Sequence, residues 1–389
     1  MKVTKSIVFK DEKLDCNRVS EWNVIQRIEK LTKNVVKILK NDEDLKLIVS
    51  NTHDKEELDK KGLFEFEDYV FEKYIAKKIV VIYGNCHTMI ISQLLENCSE
   101  FLEEHIIYPI KPIQIIKDVT YFDMPAFRYC DIFIHQSIQL ENRYGKEYAS
   151  QNIINKLSDK CRVIAIPNVY RLPVCFFPQY SREKELCDRK GNTIFFRDKI
   201  IDKGIEQGKK FDEIVADYKN ENYYSSQNFD ELFEQFCDKV RFREREWDIK
   251  VLDYILKNYQ SIQLFYDPNH PTNEFLIYVT SQVLLMLGIN HDTDALRKEK
   301  VMKLDSFEMP IHSSVKKNFQ MSFTSKEMRT TGQKVYFEKM YLEEYITQYL
   351  SLSWKNASLS KVKRLYFWRS YCKNKIGNCI HKFMHNIKN

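Results

Sequence analysis

The sequence predicts an α/β fold built on a mostly parallel sheet flanked by helices. Short runs of β-branched and aromatic residues recur at 79–83, 105–110, 131–136, 162–166 and 261–266, separated by segments of helical period or loop character. Strands that alternate with helices belong to parallel sheets, because a parallel connection has to cross over. Pro109, Pro112, Pro125, Pro167, Pro173 and Pro178 stand near the ends of these runs, where a turn is needed and a helix must not continue.

Over 20–75, Val24, Ile25, Ile28, Leu31, Val35, Val36 and Leu39 repeat at three and four residues, so residues 1–75 are expected to form a charged helical prelude. A main α/β domain is expected at 76–290. It opens with Val80, Val81, Ile82 and Tyr83 as a buried strand and Gly84 and Asn85 as a tight turn; Ile90, Leu94 and Leu95 then follow at helical spacing. Between the fourth and fifth runs, Leu232, Phe233, Phe236, Val240, Trp247, Val251, Leu252, Ile255 and Leu256 predict two amphipathic helices over the sheet. After the fifth run, Phe275, Leu276, Val279, Val283 and Leu287 make a helix face that Gly288 stops. Residues 291–389 are expected as a C-terminal region that ends in a basic helical tail at 351–389.

With 389 residues, 43% of them hydrophobic, the chain can bury a large core and has room for two or three domains. No run of 18 apolar residues occurs and the first charges interrupt any signal-like segment, so a cytoplasmic location is expected. Ten cysteines are scattered without C-x-x-C pairs, which fits a reducing compartment and argues against a structural metal. The net charge of +6 belongs to the tail: 351–389 holds nine Lys or Arg and no acidic residue, which leaves the remainder at −3. Aromatic and aliphatic residues are interleaved there. The tail fits a helix docked on its own domain, or an anionic membrane surface at the inner leaflet, better than a nucleic-acid arm.

Chemistry is concentrated in two turns. Cys86 falls at the start of a predicted helix, where unpaired N–H groups and the helix dipole favour a thiolate; the alternative is a small, buried, inert side chain. His270 lies in the turn that leads from the fifth predicted strand into the next helix, beside the rigid Pro271. If both turns leave the carboxyl edge of one sheet, thiol and imidazole open onto one crevice, the usual ligand position in such folds. Together they form the minimal kit for acyl transfer, in which the imidazole takes a proton and a thiolate or a substrate hydroxyl attacks a carbonyl. Backbone N–H groups after Gly84 and the amide of Gln136 are the natural oxyanion donors, and Asn168 could line the crevice; His135, on the other face of its strand, reads as structural. Phosphate-loop, dinucleotide-turn and zinc-helix motifs are missing, so kinase, dehydrogenase and zinc-hydrolase readings lose ground.

Gly84-Asn85-Cys86, the 131–136 run, Ile166-Pro167-Asn168-Val169-Tyr170, the segment from Arg243 through Trp247 and Asp248 to Ile249, and Asn269-His270-Pro271-Thr272-Asn273 occur in one order. In that order they resemble the WcbI-type polysaccharide biosynthesis family over about 77–290. His87 stands where Gln is expected in the resemblance, and the run after Tyr170 diverges. The resemblance implies an O-acetyltransferase that uses acetyl-CoA to modify a sugar or lipid-linked glycan of a capsule or other surface polysaccharide. It also implies that the Gly-Asn-Cys turn and a histidine belong to the site, with Asn85, His87 and Asn273 beside them. The phosphates of coenzyme A would then need cations. Arg171 is one candidate, and Arg241 and Arg245, four apart on one expected helix face, are others, with a solvated charged face as their alternative. A Cys/His hydrolase of esters or thioesters, and a non-catalytic glycan-binding scaffold at a membrane, remain alternatives that coenzyme binding and product analysis separate.

Overall fold

The structure, a computed structural model, describes residues 77–323 apart from 109, 117–118, 182–185, 188–192, 195–196 and 305–307, together with 342–350 apart from 344 and 348. The expected prelude (1–75) and basic tail (351–389) lie outside the described residues. The chain divides into two compact units. One runs to Asn168 and adds Glu244–Ile249 and Leu276–Met302; the other comprises Val169–Arg243, Lys250–Phe275 and the chain from Lys303 onward.

The first unit is built on four parallel strands, β1 (Lys78–Tyr83), β2 (His105–Tyr108), β3 (Ile132–Gln136) and β4 (Arg162–Ile166), in the order β2-β1-β3-β4. All four lie where the apolar runs predict them. Every residue of β3 is buried, as are the last five of β1, which is what strands covered on both faces require. On one face Ile79, Val81, Tyr83 and Phe133 meet Phe122, Phe127 and Tyr148; Tyr83 is fully buried and gives its hydroxyl to the Tyr148 carbonyl at 2.6 Å. Helix α1 (Cys86–Glu96) packs against β1 and β2 and buries Ile90, Ile91, Leu94 and Leu95. Short helices α2 (Ser99–Glu104), α3 (Pro125–Arg128) and α4 (Ser150–Ile154) fill the crossovers. The edge strand β4 is covered rather than left open. Asp248 accepts from Ala165 N–H at 2.7 Å through its carboxylate and returns its own N–H to the Ala165 carbonyl at 2.9 Å, while Trp247 and Ile249 are buried beside it.

The second unit is mainly helical. Helices α5 (Lys199–Gln207) and α6 (Phe211–Lys219) form a hairpin in which Gly204 lets Ile214 approach: a Cβ there would sit 2.7 Å from Ile214 Cγ1. Asp198 is fully buried, caps α5 and accepts the hydroxyls of Tyr218 and Tyr345. The 211–259 stretch forms three helices rather than the two expected: α6, α7 (Phe229–Arg243) and α8 (Leu252–Asn258), with a 3-10 turn at Glu244–Glu246. Phe176, Phe233, Phe236, Tyr259, Phe265 and Phe319 make its aromatic core.

The fifth strand expected at 261–266 does not form. Leu264 and Phe265 are buried, but their segment pairs with its own following turn through Tyr266 N–H to His270 O and Thr272 N–H to Leu264 O, both at 2.9 Å. The apolar run is satisfied by the aromatic core without a ladder. Helix α9 (Asn273–Met286) follows as expected, and Gly288, at φ 75°, ends it in the left-handed region that suits glycine. Among the described residues no helix is long and apolar enough to cross a membrane. Two further short helices are α10 (Thr293–Lys298) and α11 (Ser313–Asn318).

Candidate functional site

The turn after β1 is held by a network that starts with a missing side chain. A Cβ on Gly84 would lie 2.5 Å from Gln136 Oε1 and 2.7 Å from Thr88 Cγ2, so close approach, not an unusual φ, demands glycine here. The space lets the Gln136 amide cross from the end of β3 to both neighbouring turns. Its Oε1 accepts Asn85 N–H at 2.8 Å, and its Nε2 donates to the Pro167 carbonyl at 3.1 Å and to His87 Nδ1 at 3.2 Å. Because β3 lies between β1 and β4, this one side chain ties their exit turns together.

Asn85 then starts α1. Its Oδ1 accepts His87 N–H at 2.9 Å as an N-cap, worth about 0.5–2 kcal/mol, and its Nδ2 faces Asn168 Oδ1 at 3.4 Å. Cys86 is the first residue of the helix and is half-buried; its N–H and its sulfur have no hydrogen-bond partner among the described residues. Gly84, Asn85, Cys86, His87, Gln136 and Asn168 therefore come together in one assembly.

Two roles change within it. Gln136 is fully buried with both ends of its amide engaged, so it braces the turn and is not an oxyanion donor. The Cys86 N–H, at a helix start, is the donor this assembly leaves for that task. His87 is 1% exposed and its Nδ1 accepts a hydrogen bond from Gln136 Nε2, so it is part of the bracing as well. His135 is buried and stacked on Phe133, and burial lowers its basicity, in keeping with a structural residue.

His270 sits in an Asx-type turn of the second unit. Asp267, with no exposed surface, accepts Asn269 N–H at 2.7 Å and His270 N–H at 3.0 Å through Oδ1, and binds His270 Nδ1 at 2.7 Å through Oδ2. A carboxylate only accepts, so Nδ1 carries the hydrogen and Nε2 is the basic nitrogen. The His270 side chain is 25% exposed. Asp267 was not singled out from the sequence, although Asp-Pro-Asn-His has the spacing at which an Asp side chain caps the N–H groups two and three residues on. Because 261–266 is not a strand, this turn does not leave the parallel sheet as the Cys86 turn does. The thiol belongs to the first unit and the imidazole to the second.

Of the remaining expected residues, Asn273 opens α9 three residues after His270. Arg171 gives its N–H to the Pro268 carbonyl of the His270 turn at 2.8 Å. It holds φ at 57°, an uncommon strain for a side chain of its size, and its guanidinium lies over the Tyr170 ring at 5.1 Å. Arg241 and Arg245 do not share a helix face. Helix α7 ends at Arg243, Arg241 is exposed and paired with Asp238, and Arg245 lies in the 3-10 turn beyond, in the first unit. The segment they occupy serves the β4 edge through Trp247 and Asp248.

Comparison with known proteins matches residues 79–292, more than half of the chain, to the family described as polysaccharide biosynthesis enzyme WcbI. A solved structure of WcbI, described as a novel polysaccharide biosynthesis enzyme in its native form without a disulfide between coenzyme A and one of its cysteines, is similar in fold. It shares 17% identity at a TM-score of 0.52 and covers 76% of this chain and 99% of its own. Curated proteins gave no match. The chain belongs to the WcbI family of polysaccharide biosynthesis enzymes.

Proposed function

We propose that the protein is an acetyl-CoA-dependent O-acetyltransferase that acetylates a sugar hydroxyl in the biosynthesis of a surface polysaccharide, with His270 as the base and Cys86 as the nucleophile or a residue of the thioester pocket. The observation that carries the reading is the Asp267–His270 pair, at 2.7 Å with the carboxylate buried. It fixes an imidazole with Nε2 as base, the group a sugar hydroxyl needs when it attacks a thioester carbonyl. The acceptor oxygen bonds to the carbonyl carbon as its proton passes to Nε2. The Cys86 N–H faces the oxygen that gains charge, and collapse expels coenzyme A as a thiol that takes the proton back from the imidazolium. Cys86 Sγ either carries acetyl between two such steps or forms a wall of the thioester pocket. Arg171, on the backbone of the His270 turn, is the cation for a coenzyme phosphate. The solved relative's description, native without a disulfide between coenzyme A and one of its cysteines, supports a coenzyme A donor.

Product analysis with acetyl-CoA and candidate sugars tests the reading. Acetylated sugar is expected from the wild type and none from Cys86→Ala or His270→Ala variants that retain the fold; free acetate in place of acetyl sugar would mark a hydrolase instead. Intact-protein mass after acetyl-CoA decides whether Cys86 is acetylated. Coenzyme A should also raise the melting temperature as RT ln(1 + [L]/Kd), which a scaffold would not show.

A further inference from the structure

Cys130 stands two residues before β3 and Cys161 immediately before β4, two strands that pair in parallel with Ile132 opposite Arg162. Arg162 N–H adds a 2.8 Å bond to the Asp131 carbonyl, so the starts of the two strands are held side by side and Cys161 stands opposite Asp131, one residue along from Cys130. Both cysteines face the same apolar cluster: Cys130 is buried within it at 3% exposure and Cys161, half-buried, packs against it. The Cys130 thiol donates to the Ile132 carbonyl at 3.1 Å and the Cys161 thiol to the Arg162 carbonyl at 3.9 Å. Strands about 4.8 Å apart with a rise of about 3.3 Å per residue put such diagonal Cα atoms about 5.8 Å apart, inside the span of about 4.4–6.8 Å between the Cα atoms of a disulfide.

We infer that Cys130 and Cys161 form a redox-active dithiol that closes to a disulfide when a small-molecule disulfide reaches Cys161 from the solvent side. The sequence reading expected these cysteines only as reduced, scattered residues. The site is separate from the Cys86 turn, which leaves the carboxyl end of the sheet while this pair lies at the amino ends of β3 and β4.

The order of events follows from exposure and acidity. Cys161 is the half-exposed partner, and the neighbouring Cys130 thiol lowers its pKa, whereas burial raises that of Cys130. The Cys161 thiolate attacks one sulfur of the reagent and releases the first reagent thiolate. Cys130, giving its proton to that thiolate, then attacks the Cys161 sulfur and releases the second. Two protein thiols are oxidised by two electrons, and one reagent disulfide becomes two thiols. The product would join the edge strand β4 to β3 covalently.

The test uses the full chain, reduced, desalted and treated with oxidised glutathione while folded, then alkylated and mapped as unreduced peptides. The expected product is a protein lighter by two hydrogens, with the Cys130 peptide linked to the Cys161 peptide. Cys130→Ser should stop at glutathione on Cys161, and Cys161→Ser should leave Cys130 unmodified. Glutathione resting on wild-type Cys161 without closure, a link to a different cysteine, no reaction at either residue, or closure only in denaturant would each overturn the inference.

Discussion

Replacing Gln136 with methionine tests whether one buried amide holds the turn that presents Cys86. Methionine keeps nearly the length of glutamine but none of its strong hydrogen bonds. Three contacts are lost, to Asn85 N–H at 2.8 Å, the Pro167 carbonyl at 3.1 Å and His87 Nδ1 at 3.2 Å. At about 0.5–1.5 kcal/mol each, and with buried partners left unsatisfied, the loss comes to about 2–4 kcal/mol. Native-state hydrogen exchange of the β1, β3 and β4 amides reads this unit directly, and the slowest amides should exchange roughly 30- to 800-fold faster. Gln139→Met is the control: Gln139 is exposed and bonds only Glu246, so its change should stay within about 0.5 kcal/mol. If Gln136→Met accelerates exchange no more than Gln139→Met, the bracing role is wrong.

Three further outcomes are expected. Gly84→Ala puts a methyl 2.5 Å from Gln136 Oε1 and 2.7 Å from Thr88 Cγ2 and should destabilise the same amides by about 1–3 kcal/mol, read by the same hydrogen exchange. Asp267→Asn sets an amide against His270 Nδ1 and favours the wrong tautomer, so transfer should fall on the order of 10²–10⁴-fold with the melting temperature little changed; kinetics and melting on the same sample check both. His312, fully buried among Tyr218, Tyr223 and Tyr224, has its pKa lowered to about 4 by burial. The unfolded chain therefore binds the extra proton first, and stability present above pH 6.5 is lost as pH falls toward 4, by about 3 kcal/mol. The difference between wild type and His312→Asn in denaturation from pH 7 to 4 isolates this contribution.

Four strands were legible because parallel strands buried on both faces need short apolar runs, and residues 79–83 of β1, 132–134 of β3 and 163–166 of β4 supply them. Leu264, Phe265 and Tyr266 make another apolar run, but Phe265 finds its burial against Phe176 and Phe275, and an apolar run does not record whether a ladder or a ring cluster buries it. The Gly-Asn-Cys turn was legible as a strand-to-helix switch, although the N-cap role of Asn85 was not. The destination of the Gln136 amide was not, since alternation assigns a strand residue to a face and says nothing of where a flexible side chain ends. The arginine pair failed at a helix end: α7 stops at Arg243, two residues short of what the spacing required. Asp267 carried a local signal, a carboxylate three residues before the histidine, that turn chemistry makes readable once the turn is known to be compact.

The central claim is that Cys86 and His270 are both needed by an enzyme that takes its acetyl group from coenzyme A. Differential labelling tests it without knowledge of the acceptor: iodoacetamide on Cys86 and diethyl pyrocarbonate on His270, each followed by peptide mass against rising concentrations of desulfo-coenzyme A. Both labels should be suppressed with the same half-saturating concentration. Protection of one residue alone, or of the two at unrelated concentrations, would contradict a role for both in the same reaction.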